Sequence, residues 1–155
     1  MTGEDYSIRP ARPGDAEGIA ACVSAAYAIY VARMGKLPGP MLDDYAQVIA
    51  RHRVFVLART EEIAGALVLI DQEDGSLLLD NVAIHPDLQG RGLGRRLISY
   101  AEDEAGRLGH ETLDLYSHET MSDSIALYLA LGYEETDRRV VRGYARVYMR
   151  KELRV

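Results

Sequence analysis

Apolar and polar positions change period as the chain runs, and each change predicts an element. A short run from Tyr6 to Arg9 predicts a strand, and Arg-Pro-Gly-Asp follows, where Asp15 is placed to cap a helix continuing to about Val31. The proline- and glycine-rich stretch from Gly35 to Met41 predicts a loop, and LDDYAQVIARH after it a second, short helix. VFVLART and EEIAGALVLID read as two strands joined by a tight polar turn. An Asp74-Gly75 hairpin signal then leads into a third strand, LLLDNVAIH.

From Leu93 the spacing becomes helical. Leu97, Ile98, Ala101, Ala105 and Leu108 form one stripe, with charged residues on the other side and Gly109 placed as a C-cap. ETLDLYS predicts another strand and MSDSIALYLALG another helix ended by Gly132. A terminal hairpin turns around Gly143. A strand–helix–strand unit from Leu77 to Ser117 returns right-handed to the same sheet, so its two strands are parallel, while the flanking strands are linked by hairpins. The expectation is an α/β fold: a mixed, mostly antiparallel, twisted sheet of about seven strands flanked by about four helices.

With 155 residues, the chain is expected to form a single domain over residues 1–155. Its 48% hydrophobic and 27% charged residues are those of an ordinary globular protein. The N-terminus lacks a signal-peptide core, and no apolar stretch is long enough to span a bilayer, so no membrane partner is expected. The one cysteine, Cys22, sits in an apolar run with no basic neighbour to activate it, which fits a buried small hydrophobe and a cytoplasmic location. A net charge of −6 and the lack of a basic aromatic sheet argue against a nucleic-acid partner. Arginines nonetheless gather at Arg91, Arg95 and Arg96 and again at Arg138, Arg139, Arg142 and Arg146.

The first of these clusters surrounds the stretch HPDLQGRGLGRRL, from His85 to Leu97. A bare G-x-G is expected by chance about once per 200 positions. Its place narrows the meaning: it follows a strand and opens a helix, where unpaired amides and the helix dipole favour a phosphate. A dinucleotide fingerprint would need a third glycine at position 97, where this chain has Leu97, and would come in a βαβ unit at the start of the fold.

Gln89, Gly92 and Gly94 after NVAIHP, with SIALYLALGY downstream, match the Q/R-x-x-G-x-G/A and A-x-x-L-Y-x-x-x-G-F segments of a known family. From Leu77 to Tyr133 the chain resembles the GNAT superfamily of N-acetyltransferases, and the element order agrees over the whole length. The resemblance implies acetyl-CoA as the cofactor. Gly90, Arg91, Gly92, Leu93, Gly94 and Arg95 would hold its pyrophosphate. Val82, Ala83 and Ile84 would pair with the pantetheine arm as an added strand, in a sheet splayed after Ile84. For the arginines, a solvated helix face is the alternative.

The same resemblance implies that Tyr128 is the general acid at the thiol leaving group; by composition alone it would be one more core aromatic. A backbone N–H near Ile84 would meet the oxyanion. Strict alternation puts Leu78, Asp80, Val82 and Ile84 on one face of the strand, unless a bulge breaks it. Asp80 is the first candidate for the base, with His118, Glu119 or a water chain as alternatives. Tyr116 stands where some relatives carry a catalytic Glu. Many relatives carry an Asn seven residues before the helix tyrosine, where this chain has Met121; others carry it four before, where Ser124 remains as a possible cofactor contact.

For the acceptor, the resemblance points to the first two helices, their loop and the terminal hairpin: Tyr27, Tyr30, Arg33, Met41 and Tyr45, with Arg138 or Arg139 for a carboxylate. A small primary amine or an amino-acid-like molecule is expected. A protein N-terminus or lysine is the alternative substrate, and a non-catalytic acyl-CoA-binding module the alternative function. A homodimer through the terminal strands is also implied by the resemblance. No metal site is expected.

Overall fold

The computed structural model describes residues 5–153. Its strands are β1 (Ser7–Pro10), β2 (Arg53–Arg59), β3 (Glu62–Asp71), β4 (Leu77–Ile84), β5 (Thr112–His118), β6 (Glu134–Val141) and β7 (Tyr144–Glu152). The helices are α1 (Ala16–Tyr27), α2 (Tyr30–Met34), α3 (Tyr45–Arg51), α4 (Leu93–Arg107) and α5 (Ser122–Ala130). One seven-stranded sheet runs in the order β1-β2-β3-β4-β5-β7-β6. Only β4 and β5 pair in parallel; every other neighbouring pair is antiparallel.

Two local expectations are corrected. The first helix does not continue to Val31: it stops at Tyr27, and a separate helix, α2, begins at Tyr30. Asp15 does not cap it. The carboxylate reaches back to the Arg12 amide at 2.7 Å and pairs with Arg9 at 2.7 Å, because a 3-10 turn at Pro13–Asp15 precedes the helix. Asp44 caps α3 instead, accepting from the amides of Ala46 and Gln47.

The core has two layers. Leu93, Leu97, Ile98, Ala101 and Ala105 of α4 lie against Leu67, Leu77, Leu79, Leu113 and Leu115 on one face of the sheet. Ile19 and Val23 of α1 pack with Val54, Val56, Ala66 and Ala83 on the other. Burying a leucine such as Leu97 contributes about 1.5–3 kcal/mol. Gly65 permits the close approach of these layers: a Cβ there would stand 2.8 Å from Ile84 Cδ1 and 3.0 Å from the Ala83 carbonyl oxygen.

Strict alternation fails in β4. Val68 pairs with Asn81 but Leu69 pairs with Leu79, so Asp80 is the extra residue of a β-bulge. Leu77 and Leu79 face α4 before it. Val82 and Ile84 face α4 after it, while Asn81 and Ala83 turn toward α1. The expected shared face of Leu78, Asp80, Val82 and Ile84 is therefore corrected: the bulge inverts the parity.

Candidate active site

The sheet opens at the same place. The parallel ladder between β4 and β5 has two rungs, Leu78 with Asp114 and Leu79 with Leu115, and then the strands part. The splay thus begins at Asp80, not after Ile84 as expected. The His85 amide donates to the Ala64 carbonyl at 2.9 Å, so antiparallel alternation gives Ala83's polar groups to β3 and turns those of Val82 and Ile84 into the fork. Gln89 Nε2 donates to the Ile84 carbonyl at 3.3 Å, which ties the glycine loop to the strand end. The main chain of Ala83 and the side chain of Gln89 are thus engaged within the protein, while both residues still line the cleft.

Below the fork, Gly90 and Gly92 take positive φ, +81° and +78°, and Gly92 opens α4. The first helical bond is donated by the Arg96 amide to the Gly92 carbonyl, so the amides of Leu93, Gly94 and Arg95 have no intrahelical acceptor. A Cβ on Gly90 or Gly92 would meet no atom within 4 Å, so the loop presents bare backbone toward open space. Leu93 is buried beneath it. These unpaired amides at a positive helix end fit a diphosphate, and the main chain of Val82 with the amide of Ile84, turned into the fork, fits an extended amide-bearing arm. Arg95 lines this cleft with the glycines, whereas Arg91 lines a different depression with Tyr6 and His85. Ser117 Oγ, on β5 past the last rung, is buried without a hydrogen-bond partner among the described residues, which a ligand in the fork would satisfy.

Tyr128 closes the cleft from α5. It is 8% exposed, meets Tyr133 edge-on at 5.8 Å, and burial pushes its hydroxyl up to about 12. Tyr128, Val82, Ser124 and Met121 line both the cleft and a second pocket on the far side of the fork. Ser124 thus stands where the two meet.

Asp80, Tyr116 and His118 line that second pocket. Tyr116 Oη donates to Asp80 Oδ1 at 2.8 Å. Burial raises Asp80 above the usual carboxylate range, opposed by the Tyr116 hydrogen bond and by the charges of Arg146 and His52. His118 Nδ1 lies 2.8 Å from Thr120 Oγ1, and burial lowers its pKa. Glu119 is exposed. Cys22 is buried and its thiol is raised to about 11, as an inert packing residue requires.

The loop expected to contact an acceptor forms the pocket's roof through Pro38, Gly39 and Pro40. Lys36 Nζ donates to the Gly143 carbonyl at 2.5 Å, and Tyr144 Oη to the Leu37 carbonyl at 2.6 Å, clasping the roof to the tip of the β6–β7 hairpin. Tyr45 Oη donates to the Pro40 carbonyl at 2.7 Å and accepts from Asn81 Nδ2, while Tyr27 Oη donates to Asn81 Oδ1. Tyr30 lines the glycine cleft under Arg33 instead of the acceptor pocket. Arg138 and Arg139 are also corrected: they pair with Glu135 and Asp137 on the hairpin, and Arg146 enters the pocket instead. Cross-strand register decides this, since Arg146 lies opposite His118 on β5. No contiguous motif marks Arg146 or Tyr116.

A family model described as the acetyltransferase (GNAT) domain matches residues 50–135. An uncharacterized N-acetyltransferase of Bacillus subtilis is 25% identical over 97 residues, 63% of this chain and 63% of that protein. The ribosomal protein bS18-alanine N-acetyltransferase of Escherichia coli strain K12 is 34% identical over 86 residues, 55% and 57% respectively. The chain thus spans less than two thirds of the length of these relatives. An N-acetyltransferase of Thermoplasma acidophilum, solved in complex with coenzyme A, has the same fold, with a TM-score of 0.78 at 16% identity over 95% of this chain and 98% of that one. The family model covers more than half of the sequence, including β2 to α5 and the whole fork, and the chain belongs to the GNAT acetyltransferase family.

Proposed function

We propose that the chain moves an acetyl group from acetyl-CoA to a primary amine by direct attack. One observation carries the reading: Tyr128 and Val82 line both the glycine cleft and the Asp80 pocket, so a group held in the first reaches the second. The amides of Leu93, Gly94 and Arg95 would take the pyrophosphate, Val82 and Ile84 the pantetheine arm, and Ser124 a polar contact at the junction. Acetyl-CoA supplies an activated acetyl thioester at the fork.

An alkylamine with a pKa near ~10.4 arrives as ammonium at neutral pH, so a proton must leave before attack. Asp80 takes it, directly or through water, and its raised pKa suits it to hold the proton. The amine nitrogen then bonds to the acetyl carbon while the carbon–sulfur bond breaks, and it sheds a second proton that replaces, through solvent, the one Tyr128 gives up. A main-chain N–H of the fork, at Ile84, meets the charge that develops on the carbonyl oxygen. Tyr128, kept protonated by burial, gives its proton to the departing sulfur. His118 is a second place for the amine proton on the same pocket wall.

The acceptor we favour is a small amine or an amino-acid-like molecule, because the pocket holds about 70 Å³, room for a handful of waters at roughly 10–15 Å³ each. The bS18-alanine relatives favour a protein N-terminus as the second reading. The proposal includes a cytoplasmic workplace and a homodimer through β6, an exposed strand at the end of the sheet; sedimentation of the purified protein tests the dimer.

The test is a broad amine screen with thiol detection, peptides beginning with alanine included, on wild type and Tyr128→Phe. Release of coenzyme A with an amine, reduced about 100-fold in the variant with acetyl-CoA binding retained, supports the reading. Tight acetyl-CoA binding with no release for any amine supports a non-catalytic acyl-CoA module instead.

A further inference from the structure

The acceptor pocket holds a cation that the acetyl-transfer steps do not use. Arg146, on β7, enters the pocket with its guanidinium carbon 4.1 Å above the Tyr116 ring, and Nη1 donates to Tyr148 Oη at 3.3 Å. Its neighbours on the hairpin, Arg138, Arg139 and Arg150, each have a carboxylate within 4 Å. Arg146 has none among the described residues, and its one hydrogen bond uses one of five N–H donors. Two tyrosines therefore hold a planar fork of donors in place and leave most of it unmet.

Tyr116 also sets the scale. Its hydroxyl touches Asp80 and its ring underlies Arg146, so the carboxylate and the guanidinium stand at two sides of a single phenol. A small molecule with opposite charges a few bonds apart offers a partner to each. We infer that the acceptor is an amine that also carries a carboxylate, with its amine at Asp80 and its carboxylate on the guanidinium of Arg146. A free amino acid or a short amino acid homologue has this chemistry; a neutral monoamine does not. The role given to Asp80 rests on the acetyl-transfer reading, whereas the carboxylate site at Arg146 does not.

Binding without turnover separates the two. Protein saturated with desulfo-CoA, which cannot react, is titrated calorimetrically with free amino acids, β- and γ-amino acids, aminoalkylphosphonates, and the C-terminal amide of each acid. The expected result is that the best acid binds about 10- to 100-fold more tightly than its own amide, and that Arg146→Gln removes this gap while the melting temperature and desulfo-CoA affinity hold. Arg146→Lys, which keeps the charge and loses the planar fork, retains part of it. A phosphonate that exceeds every carboxylate, equal binding of acid and amide, or no measurable binding by any acid overturns the assignment. So does a variant that weakens acid and amide alike and only shifts the pH profile, since Arg146 would then act solely on Asp80. A retained carboxylate preference with no coenzyme A released from acetyl-CoA leaves this site standing and sinks the acetyl-transfer reading.

Discussion

Tyr116 Oη donates to Asp80 Oδ1 at 2.8 Å at the first position where β4 and β5 no longer pair through their backbones. Leu79 and Leu115 form the last rung, and the next two residues meet through side chains instead. The bulge that turns Asp80 out of the β3 register and the splay that frees the fork are thus one local event. It places a carboxylate whose pKa burial raises, and the phenol's hydrogen bond partly offsets, on the wall of the pocket it lines with Tyr116 and His118.

Removing that phenol hydroxyl moves the proton balance of Asp80. The hydrogen bond favours the ionised carboxylate, as do Arg146 and His52, while burial opposes it and prevails. Tyr116→Phe therefore raises the pKa of Asp80, and the acid limb of kcat/KM moves to higher pH by about one unit. A pH profile of the variant on the best acceptor checks this; an unmoved limb assigns the base elsewhere.

Asp80 also costs stability. Its folded pKa lies above the unfolded value, so the folded state favours the protonated form and loses stability as pH rises through the folded pKa. Asp80→Asn carries no charge at any pH and can still accept from Tyr116. The variant is expected to melt higher than wild type at neutral pH, by about 2–4 °C for a penalty of order 1 kcal/mol, with the difference closing under acid. Thermal melts at several pH values measure this, alongside a fall in acetyl transfer.

The two motif glycines separate under substitution. Gly94 has ordinary helical geometry and its added Cβ would meet only Ile84 Cγ1 at 3.9 Å, so Gly94→Ala should fold at wild-type stability and lose coenzyme A affinity. Gly92 sits at φ +78°, and alanine there adds about 1–2 kcal/mol of backbone strain. Gly92→Ala should lose both stability and affinity. Equal affinity of Gly94→Ala and wild type would remove the pyrophosphate from this loop.

Asn81 links three elements at 3% exposure. It joins Tyr27 of α1 to Tyr45 of α3, whose hydroxyl holds the pocket roof at Pro40. Asn81→Ala leaves buried hydroxyls short of partners, at about 1–3 kcal/mol, and loosens that roof. The expected kinetic signature is a raised KM for the acceptor with KM for acetyl-CoA little changed.

Residues near one another in the chain decide what was legible without coordinates. The strand NVAI, the amides after Gly92 and the helix from Leu93 are contiguous, and their geometry follows from glycine torsions, Pro86 and a helical stripe. The seven strands and the parallel pair followed from the same local rules, whereas Tyr128 was singled out only by the family resemblance. The face of Asp80, the partner of Tyr116, and the arginine that enters the pocket did not. Asp80 and Tyr116 lie 36 positions apart, and one extra residue in β4 inverts every side chain beyond it. Arg138, Arg139 and Arg146 share one hairpin, and only the register of β7 on β5 selects Arg146. The glycine loop of the cleft was written in one stretch of chain, because backbone amides at a helix start need no distant partner. The pocket around Asp80 is assembled from a bulge, a splay and cross-strand stacking, which exist only once the sheet has formed.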